Sequence, residues 1–259
     1  MKLTILGLGE AGSLIAKGLQ NQGVEVLAYD PKNPRNPAVP VTESATSAVA
    51  DADVVFSLNS ATASVKVARE VAGSIKPGAI FCDLNTGTPA LKKQLSQMFP
   101  EKCFVDVAVM KPVPGLEERV PMSASGPGAK KFLQLFKHLD MDLTFVSEIA
   151  GEAAARKLIR SIMAKGMAAV LIDALWAAKS MGLEEWAIEE IRREFDSSSS
   201  KTVKRFLDGT QQHSKRRSVE MADVLEMLSE SGYESTMVRG VELTLSRVIH
   251  GVRVPFAEI

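Results

Sequence analysis

The stretch Gly7-Leu8-Gly9-Glu10-Ala11-Gly12 follows directly on the apolar run Leu3-Thr4-Ile5-Leu6 and leads into a helical pattern. Glycines at the join of a strand and a helix are typical of a site for the pyrophosphate of a dinucleotide. Gly7 permits the tight turn, Gly9 lets the backbone approach the phosphates, and Gly12 lets the helix pack closely against the sheet. The helix N-terminus would supply amide donors and a positive dipole end.

An acidic residue ends the second apolar run. Asp30 follows the run Val24–Tyr29 and lies eighteen residues after Gly12, close to the offset of about twenty at which an acid binds the adenosine ribose. Lys32 and Arg35 lie just beyond it and could hold the 2′-phosphate of NADP, whereas the carboxylate would repel that phosphate. The sequence therefore predicts NAD or NADP as the cofactor, and Asp30 favours NAD.

The hydrophobic pattern changes near residue 150. Before that point short apolar runs alternate with helical stretches, which is typical of a Rossmann-type α/β fold, a doubly wound and mostly parallel sheet with helices on both faces. After it no run is typical of a strand. We expect a dinucleotide-binding domain over 1–149, an all-helical substrate and dimerisation domain over 150–259, and a catalytic cleft between the two.

The predicted elements are bounded by these patterns. The strands are 3–6, 24–29, 54–58, 79–83, 104–107, 122–125 and 143–146, and the helices are 13–22, 63–74, 89–98, 129–138, 151–181, 183–195, 199–209, 219–231 and 236–249. Between Asp30 and Val41 there is no room for a crossover helix. Prolines recur there at every third position, which predicts a stiff extended linker of polyproline II type; they are Pro31, Pro34, Pro37 and Pro40.

Charge and composition exclude several classes of partner. The formal net charge is zero, which gives no reason to expect binding to nucleic acid or to a membrane surface. No apolar run reaches the length of a membrane span, and Met1-Lys2 leads directly into the first strand, so we expect a cytoplasmic protein without a signal peptide. Cys82 and Cys103 lack the spacing of metal ligands, so we expect free thiols and no metal site.

Five stretches resemble the β-hydroxyacid dehydrogenase family, which includes 6-phosphogluconate and 3-hydroxyisobutyrate dehydrogenases. They are the opening strand with its glycines, 53–59, 83–89, 104–109 and 151–157. The resemblance covers essentially the whole chain. It implies that Leu58 and Asn59 end a strand beside the cofactor, that Asn85 and Thr86 line the nicotinamide ribose, and that Lys157 falls on the family's catalytic lysine.

The chain departs from the family at the substrate site. Met110-Lys111-Pro112 stands where the family has Ser-Gly-Gly to hold the substrate carboxylate, and Ser161 stands where it has asparagine. A proline removes one amide donor from such a loop, and Lys111 could replace the lost donors by a point charge. We expect Met110, Lys111, Ser161 and Lys165 to contact the substrate, whose identity these departures leave open.

The long helix suggests a chemistry by itself. Lys157, Ser161 and Lys165 are four residues apart and share one stripe of the helix. A lysine that faces a cofactor cleft loses its proton more easily through burial and neighbouring cations, and can act as a general acid and base. The alternative is a solvated cationic face.

A second basic cluster lies further along the chain, at His213, Arg216 and Arg217. It could reach a neighbouring active site and bind a carboxylate or phosphate, or it could be a solvated start of a helix. The later half looks most like a subgroup of phosphogluconate-dehydrogenase-like proteins.

These observations predict an NAD(P)-dependent oxidoreductase of the β-hydroxyacid dehydrogenase type. It would transfer hydride between nicotinamide and a small carboxylate-bearing hydroxy acid or its oxo partner, with Lys157 as the acid/base. The alternatives are an imine reductase and a non-catalytic dinucleotide-binding sensor. Because the stretch 151–181 is apolar over much of its circumference, and because the resemblance implies it, we also expect a homodimer.

Overall fold

The computed structural model describes residues 1–32, 37–99, 103–180, 182–194, 199–230 and 235–257. The chain forms two compact units, Met1–Lys157 and Leu158–Ile259. The boundary between them falls inside one long helix, Glu152–Ser180.

A single mixed sheet is the centre of the first unit. Its order within the described residues is β2-β1-β3-β4-β5-β6-β7. The first five strands are parallel, β6 runs antiparallel to β5, and β7 is parallel to β6. The strands are β1 (Lys2–Leu6), β2 (Glu25–Tyr29), β3 (Val54–Ser57), β4 (Ile80–Asp83), β5 (Phe104–Val109), β6 (Met122–Ser125) and β7 (Leu143–Ser147). The predicted doubly wound, mostly parallel sheet is confirmed.

Helices cover both faces of this sheet. They are α1 (Glu10–Asn21), α2 (Ala45–Val49), α3 (Ala61–Val71), α4 (Pro89–Ser96) and α5 (Ala129–Phe136), with a 3₁₀ turn over Glu117–Arg119. Local sequence fixes where several of them begin. Ser60 accepts a hydrogen bond from the amide of Ala63, and Thr88 accepts one from the amide of Leu91, as N-cap residues do. Pro89 at the start of α4 has the backbone angle that a first helical residue needs.

Alternating side chains of the central strands fill two separate cores. Every residue of β3 and β4 is buried, as expected for parallel strands covered on both sides. On one face Phe56 packs with Phe132 and Phe136 of α5. On the other, Phe81 stacks on Phe99 and Phe104.

The proline-rich segment returns along the outer edge of β2. The amide of Ala28 donates to the carbonyl of Pro40 at 2.9 Å, and the amide of Thr42 donates to the carbonyl of Ala28 at 2.9 Å. Pro34 and Arg35 lie outside the described residues. The crossover to β3 then uses α2, which the sequence pattern did not predict because five residues contain little more than one helical turn.

The described part of the second unit is helical, as predicted. The helix α6 (Glu152–Ser180) enters this unit from the first and is followed by α7 (Glu184–Glu194), α8 (Ser199–Glu230) and α9 (Thr236–Ile249). The sequence predicted two helices where α8 lies. They are instead continuous through a kink at His213, whose φ of −124° and ψ of 23° are not helical.

Within the described ranges, no helix combines the length and the apolar character needed to span a bilayer.

Candidate nucleotide and catalytic site

The glycine turn between β1 and α1 is tight at two positions and open at one. Gly7 has a φ of +108°, and a Cβ there would lie 2.4 Å from the carbonyl oxygen of Leu58. A Cβ on Gly12 would lie 2.0 Å from the carbonyl oxygen of Gly7. In contrast, a Cβ on Gly9 would meet no atom within 4 Å. The turn therefore leaves open space at Gly9, where a phosphate would approach the amides that begin α1.

Asp30 supports this turn directly. The amide of Leu8 donates to Oδ2 of Asp30 at 2.7 Å, and the amide of Lys32 donates to Oδ1 at 2.8 Å. A carboxylate offers about four acceptor sites, so two remain for the hydroxyls of a ribose. Lys32 is exposed, whereas Arg35, the other residue predicted to favour NADP, lies outside the described residues.

The ends of β3 and β4 form a polar cluster beside the glycine turn. Nδ2 of Asn85 lies 3.1 Å from Oγ of Ser57, 3.2 Å from Oδ1 of Asn59 and 2.5 Å from Oδ1 of Asp83. Nδ2 of Asn59 in turn donates to the carbonyl of Leu6 at 3.3 Å. Oδ1 of Asn85 is buried and accepts no hydrogen bond. Such an acceptor is costly unless a donor reaches it.

The predicted catalytic lysine meets the turn that follows β4. Nζ of Lys157 donates to Oγ1 of Thr86 at 3.0 Å, although the two residues lie 71 positions apart. The Lys157 side chain is partly buried. The structure therefore brings together two residues that the sequence placed in one site, at the sheet edge where strand ends gather.

A buried charge cluster under this turn was not predicted. Lys92 of α4, Asp83 and Asp106 are almost completely buried, and Nζ of Lys92 lies 2.5 Å from Oδ2 of Asp83 and 3.3 Å from Oδ1 of Asp106. Burial by itself lowers the pKa of Lys92, but the two carboxylates outweigh it and raise that pKa above its ordinary value. The spacing of residues in α4 could have indicated that Lys92 is buried, because Lys92 lies three residues before Leu95 and so falls on the buried face of the helix.

The loop that replaces the family's Ser-Gly-Gly offers few backbone donors. The amide of Met110 donates to the carbonyl of Pro121 at 2.8 Å, and Pro112 has no N–H. Two of the three residues therefore cannot donate a backbone hydrogen bond to a ligand. The side chain of Lys111 is exposed.

Ser161 and Lys165 lie together in the second unit. Nζ of Lys165 donates to Oγ of Ser161 at 3.2 Å and forms an ion pair with Glu220 of α8. Burial is the main reason that the pKa of Lys165 is lowered, and the charge of Glu220 opposes that shift. Lys165 is therefore a largely buried cation whose charge is balanced by a carboxylate of the same unit.

The three residues of the second basic cluster differ in their exposure and their contacts. His213 and Arg216 are exposed, but Arg217 donates to the carbonyl of Phe206 at 3.3 Å and to the hydroxyl of Thr210. Burial lowers the pKa of Arg217 to about 10. The interpretation of this cluster as a solvated helix start is wrong for Arg217, because α8 continues through this region and the guanidinium bridges the two sides of its kink.

Two family models match most of the chain. Residues 2–120 match the NAD binding domain of 6-phosphogluconate dehydrogenase, and residues 178–248 match a domain of unknown function, DUF1932. The conserved protein MTH1747, whose structure is described as similar to 3-hydroxyacid dehydrogenases, is 25% identical with a TM-score of 0.77 over 96% of this chain and 97% of that one. The chain thus contains an NAD binding domain of the 6-phosphogluconate dehydrogenase type and is similar to the β-hydroxyacid dehydrogenases.

Other relatives cover nearly the same length. An uncharacterized 28.5 kDa protein of Methanothermus fervidus is 23% identical over 92% of this chain and 95% of its own. A conserved hypothetical protein from Sinorhizobium meliloti is 28% identical, with a TM-score of 0.76 over 99% of this chain and 91% of that one.

Two more distant structures share the fold. The 3-hydroxyisobutyrate dehydrogenase of Mycobacterium tuberculosis has a TM-score of 0.78 at 15% identity over 98% of this chain and 95% of its own. An imine reductase from Streptomyces aurantiacus has a TM-score of 0.63 at 18% identity over 97% and 94%.

The matched NAD binding domain makes a nicotinamide dinucleotide the cofactor class of this chain. The residues present fit such a group at two places. The space at Gly9 can admit a phosphate, and the buried Oδ1 of Asn85 can accept a hydrogen bond from a nicotinamide or ribose donor. Gly7, Gly9, Asp30, Asn85 and Thr86 would hold the cofactor.

The role of Gly9 can be tested by substitution. Gly9→Val should weaken the binding of NADH by at least about tenfold, because the new side chain occupies the space of a phosphate that accepts charge-assisted hydrogen bonds. The fold should survive, since Gly9 has a φ of −68° and open space around it. Titration calorimetry would measure the affinity, and thermal unfolding would measure the stability.

Gly12→Ala is the matched control for that experiment. Its Cβ would collide with the carbonyl of Gly7, so this smaller change should lower the unfolding temperature. If Gly9→Val binds NADH as tightly as the wild type does, the phosphates do not approach at Gly9.

Proposed function

We propose that the protein is an NAD(P)-dependent oxidoreductase that transfers hydride between nicotinamide and a small hydroxy acid or its oxo partner. The observation that carries this proposal is the 3.0 Å hydrogen bond from Nζ of Lys157 to Oγ1 of Thr86. Thr86 belongs to the turn that resembles the family's nicotinamide ribose turn. If this turn lines the nicotinamide ribose, the titratable ammonium of Lys157 lies near the position where the reacting carbon of a substrate would meet the cofactor.

Lys157 is the acid/base of this proposal. The bound nicotinamide supplies the hydride acceptor or donor. In the oxidation, Lys157 takes the proton of the substrate hydroxyl as hydride leaves the carbon, and in the reduction it returns that proton. Thr86 keeps the lysine side chain at the turn by accepting its hydrogen bond.

Lys111 is the candidate anchor for a substrate carboxylate. Because Met110 and Pro112 cannot offer backbone donors, the carboxylate cradle of the family is weakened, and the exposed ammonium of Lys111 could replace it. In the second unit, Ser161 and Lys165 remain predicted substrate contacts, although Lys165 is already paired with Glu220.

The same loop favours a second candidate, an imine reductase. A substrate that lacks a carboxylate does not need the backbone donors that Met110 and Pro112 withhold. The fold is shared with the imine reductase from Streptomyces aurantiacus. A panel of hydroxy acids, oxo acids and cyclic imines, each assayed with both cofactors, separates the two activities. Cofactor binding without turnover of any of them would favour the non-catalytic sensor instead.

The role of Lys157 can be tested by substitution. Lys157→Ala should lower kcat by about 10²–10⁴-fold, which is the usual contribution of a general acid/base, and should leave the affinity for NADH nearly unchanged. Lys157→Arg should not restore turnover, because arginine holds its proton at any working pH. Steady-state kinetics on the best substrate of the panel, together with calorimetry, provide both measurements.

Ser161→Ala is the control on the same helix, and it should raise KM more than it lowers kcat. Full turnover by Lys157→Ala would show that the acid/base is another group, and Lys165 and Lys111 would be examined next.

We propose NAD as the preferred cofactor, because the Asp30 carboxylate can accept ribose hydroxyls and would repel a 2′-phosphate. Asp30→Ala should weaken NADH binding about tenfold more than NADPH binding, since it removes an ionic acceptor from one cofactor and a repulsion from the other. Fluorescence titration with both cofactors measures this difference.

The hydrogen bonds of Asp30 to Leu8 and Lys32 make a control necessary, because the substitution also loosens the glycine turn. Asp30→Asn keeps one oxygen acceptor and should lose less NADH affinity than Asp30→Ala. Equal losses for the two cofactors would mean that Asp30 only supports the turn.

We further propose a cytoplasmic homodimer built through the second unit. Cys82 and Cys103 are free cysteines, which suits a reducing compartment. On α6, Ile159, Met163 and Val170 are 59%, 60% and 53% exposed, and at 100° per residue they lie on one face. A second copy of the chain would cover this apolar stripe.

Met163→Glu should convert the dimer to a monomer, because a charge in an apolar interface is costly to desolvate. Analytical ultracentrifugation at micromolar concentration would show the change in mass. Phe145→Glu is the control, since it places the same charge at an exposed apolar position of the first unit. A wild-type monomer would contradict the proposal.

A further inference from the structure

The buried charge cluster is more extensive than one ion pair. The ammonium of Lys92 lies 2.5 Å from Oδ2 of Asp83, 2.7 Å from the carbonyl oxygen of Asn85, 3.1 Å from the carbonyl oxygen of Asp83 and 3.3 Å from Oδ1 of Asp106. Its side chain is 1% exposed. Lys92 thus links the end of β4, the turn that carries Thr86, and the neighbouring strand β5.

The second oxygen of Asp106 binds the beginning of α6. Oδ2 accepts hydrogen bonds from the amides of Gly151 at 3.2 Å and Ala154 at 3.0 Å, and from the hydroxyl of Ser125 at 3.1 Å. Oγ of Ser125 accepts the amide of Ala153 at 2.9 Å. Two side chains from β5 and β6 therefore cap α6, and the negative charge of Asp106 suits the positive end of the helix.

These contacts lead through the first turn of α6 to Lys157 and back to the turn after β4. Lys157 follows Ala153 by four residues and Ala154 by three, which is about one helical turn. Its ammonium returns to Thr86, which follows Asn85 in the chain. The start of α6 also lies close to α4: a Cβ on Gly151 would lie only 2.7 Å from the carbonyl oxygen of Pro89.

We propose that Lys92 and Asp106 are positioning residues for Lys157. They fix the first turn of α6 against the turn after β4, so that the Lys157 ammonium is held at Thr86. Neither residue touches the reacting atoms in this scheme. The kinetic part of the inference rests on the proposed function, and its structural part does not.

A purely structural role would look different in experiments. Loss of a buried ion pair destabilises a fold in any case, so stability alone does not separate the two roles. A positioning role requires that the effect pass through Lys157. It must therefore disappear when Lys157 is absent, and it must be visible at the Lys157 ammonium itself.

The kinetic test is a double-mutant cycle between Asp106→Asn and Lys157→Ala. Asp106→Asn keeps an oxygen that can cap α6 but removes the charge that faces Lys92. Alone it should lower kcat by about 10- to 100-fold, as expected for a misplaced catalytic group, with little change in KM for NADH. In the Lys157→Ala background the further loss should be within about twofold. Independent losses in both backgrounds would overturn the proposal.

The structural test needs no substrate. In protein labelled with ¹⁵N-lysine, the side-chain signal of Lys157, assigned by its absence in Lys157→Arg, reports on the ammonium. Thr86→Val gives the reference position for the broken hydrogen bond. Asp106→Asn should move the signal toward that reference, whereas Leu95→Ala, a buried apolar change on the same helix as Lys92, should leave it in place.

Two outcomes overturn the proposal in this test. One is an unchanged Lys157 signal in folded Asp106→Asn, and the other is an equal shift in Leu95→Ala. If Asp106→Asn does not fold, Ser125→Ala takes its place, because it removes a cap of α6 without leaving an unpaired charge. Full turnover by Lys157→Ala would refute the proposed function alone, and the lysine signal would still decide the positioning role.

Discussion

The positively charged side chain of Lys92 is buried inside the first unit, and the groups around it must compensate for that charge. Removing an ammonium from water costs several kcal/mol even after relaxation of the protein, so the surrounding oxygens have to be in place. Asp83, Asp106 and two backbone carbonyls supply them. These contacts join the end of β4, the middle of β5 and the first half of α4, and the second oxygen of Asp106 joins them to α6.

The glycine turn would accommodate an anion, because it combines open space at Gly9 with the amides that begin α1. In the order β2-β1-β3 the chain reverses direction across the sheet at β1, and the crevice beyond such a reversal is where open α/β sheets bind ligands. Gly7 allows the carbonyl of Leu58 to approach from β3, while Gly9 faces open space. Asp30 closes the other side through the amide of Leu8. The closely packed Gly7 and Gly12 thus lie within three residues of Gly9, which faces open space.

A shared fold leaves the substrate undecided. The same architecture is found in a 3-hydroxyisobutyrate dehydrogenase and in an imine reductase, and function resides in the site grafted on the fold. The departures from the family pattern that bear on the substrate lie in residues 110–112 and at Ser161, which are predicted substrate contacts. The amide of Met110 already donates to Pro121 and Pro112 has no N–H, while the contact of Lys157 with Thr86 is present. Under the proposed function, the residues that meet the cofactor and the residues that select the substrate are therefore different groups.

The sequence by itself determined the parts that depend on local order. The strand–glycine–helix join, the alternation of strands and helices, and the helical second half follow from periodicity and turn chemistry, which neighbouring residues carry. Thr86 and Lys157 could be named from motifs. Their contact could not, because it joins positions 71 apart. Lys92 escaped prediction because a lysine on a helix is usually solvated, and only the fold shows the carboxylates beside it. The hydrogen bond of Arg217 to Phe206 across the kink of α8 could not be predicted either, because it joins two segments whose meeting only the fold shows. Burial and partners of charged groups depend on which distant segments meet, and only the tertiary structure decides that.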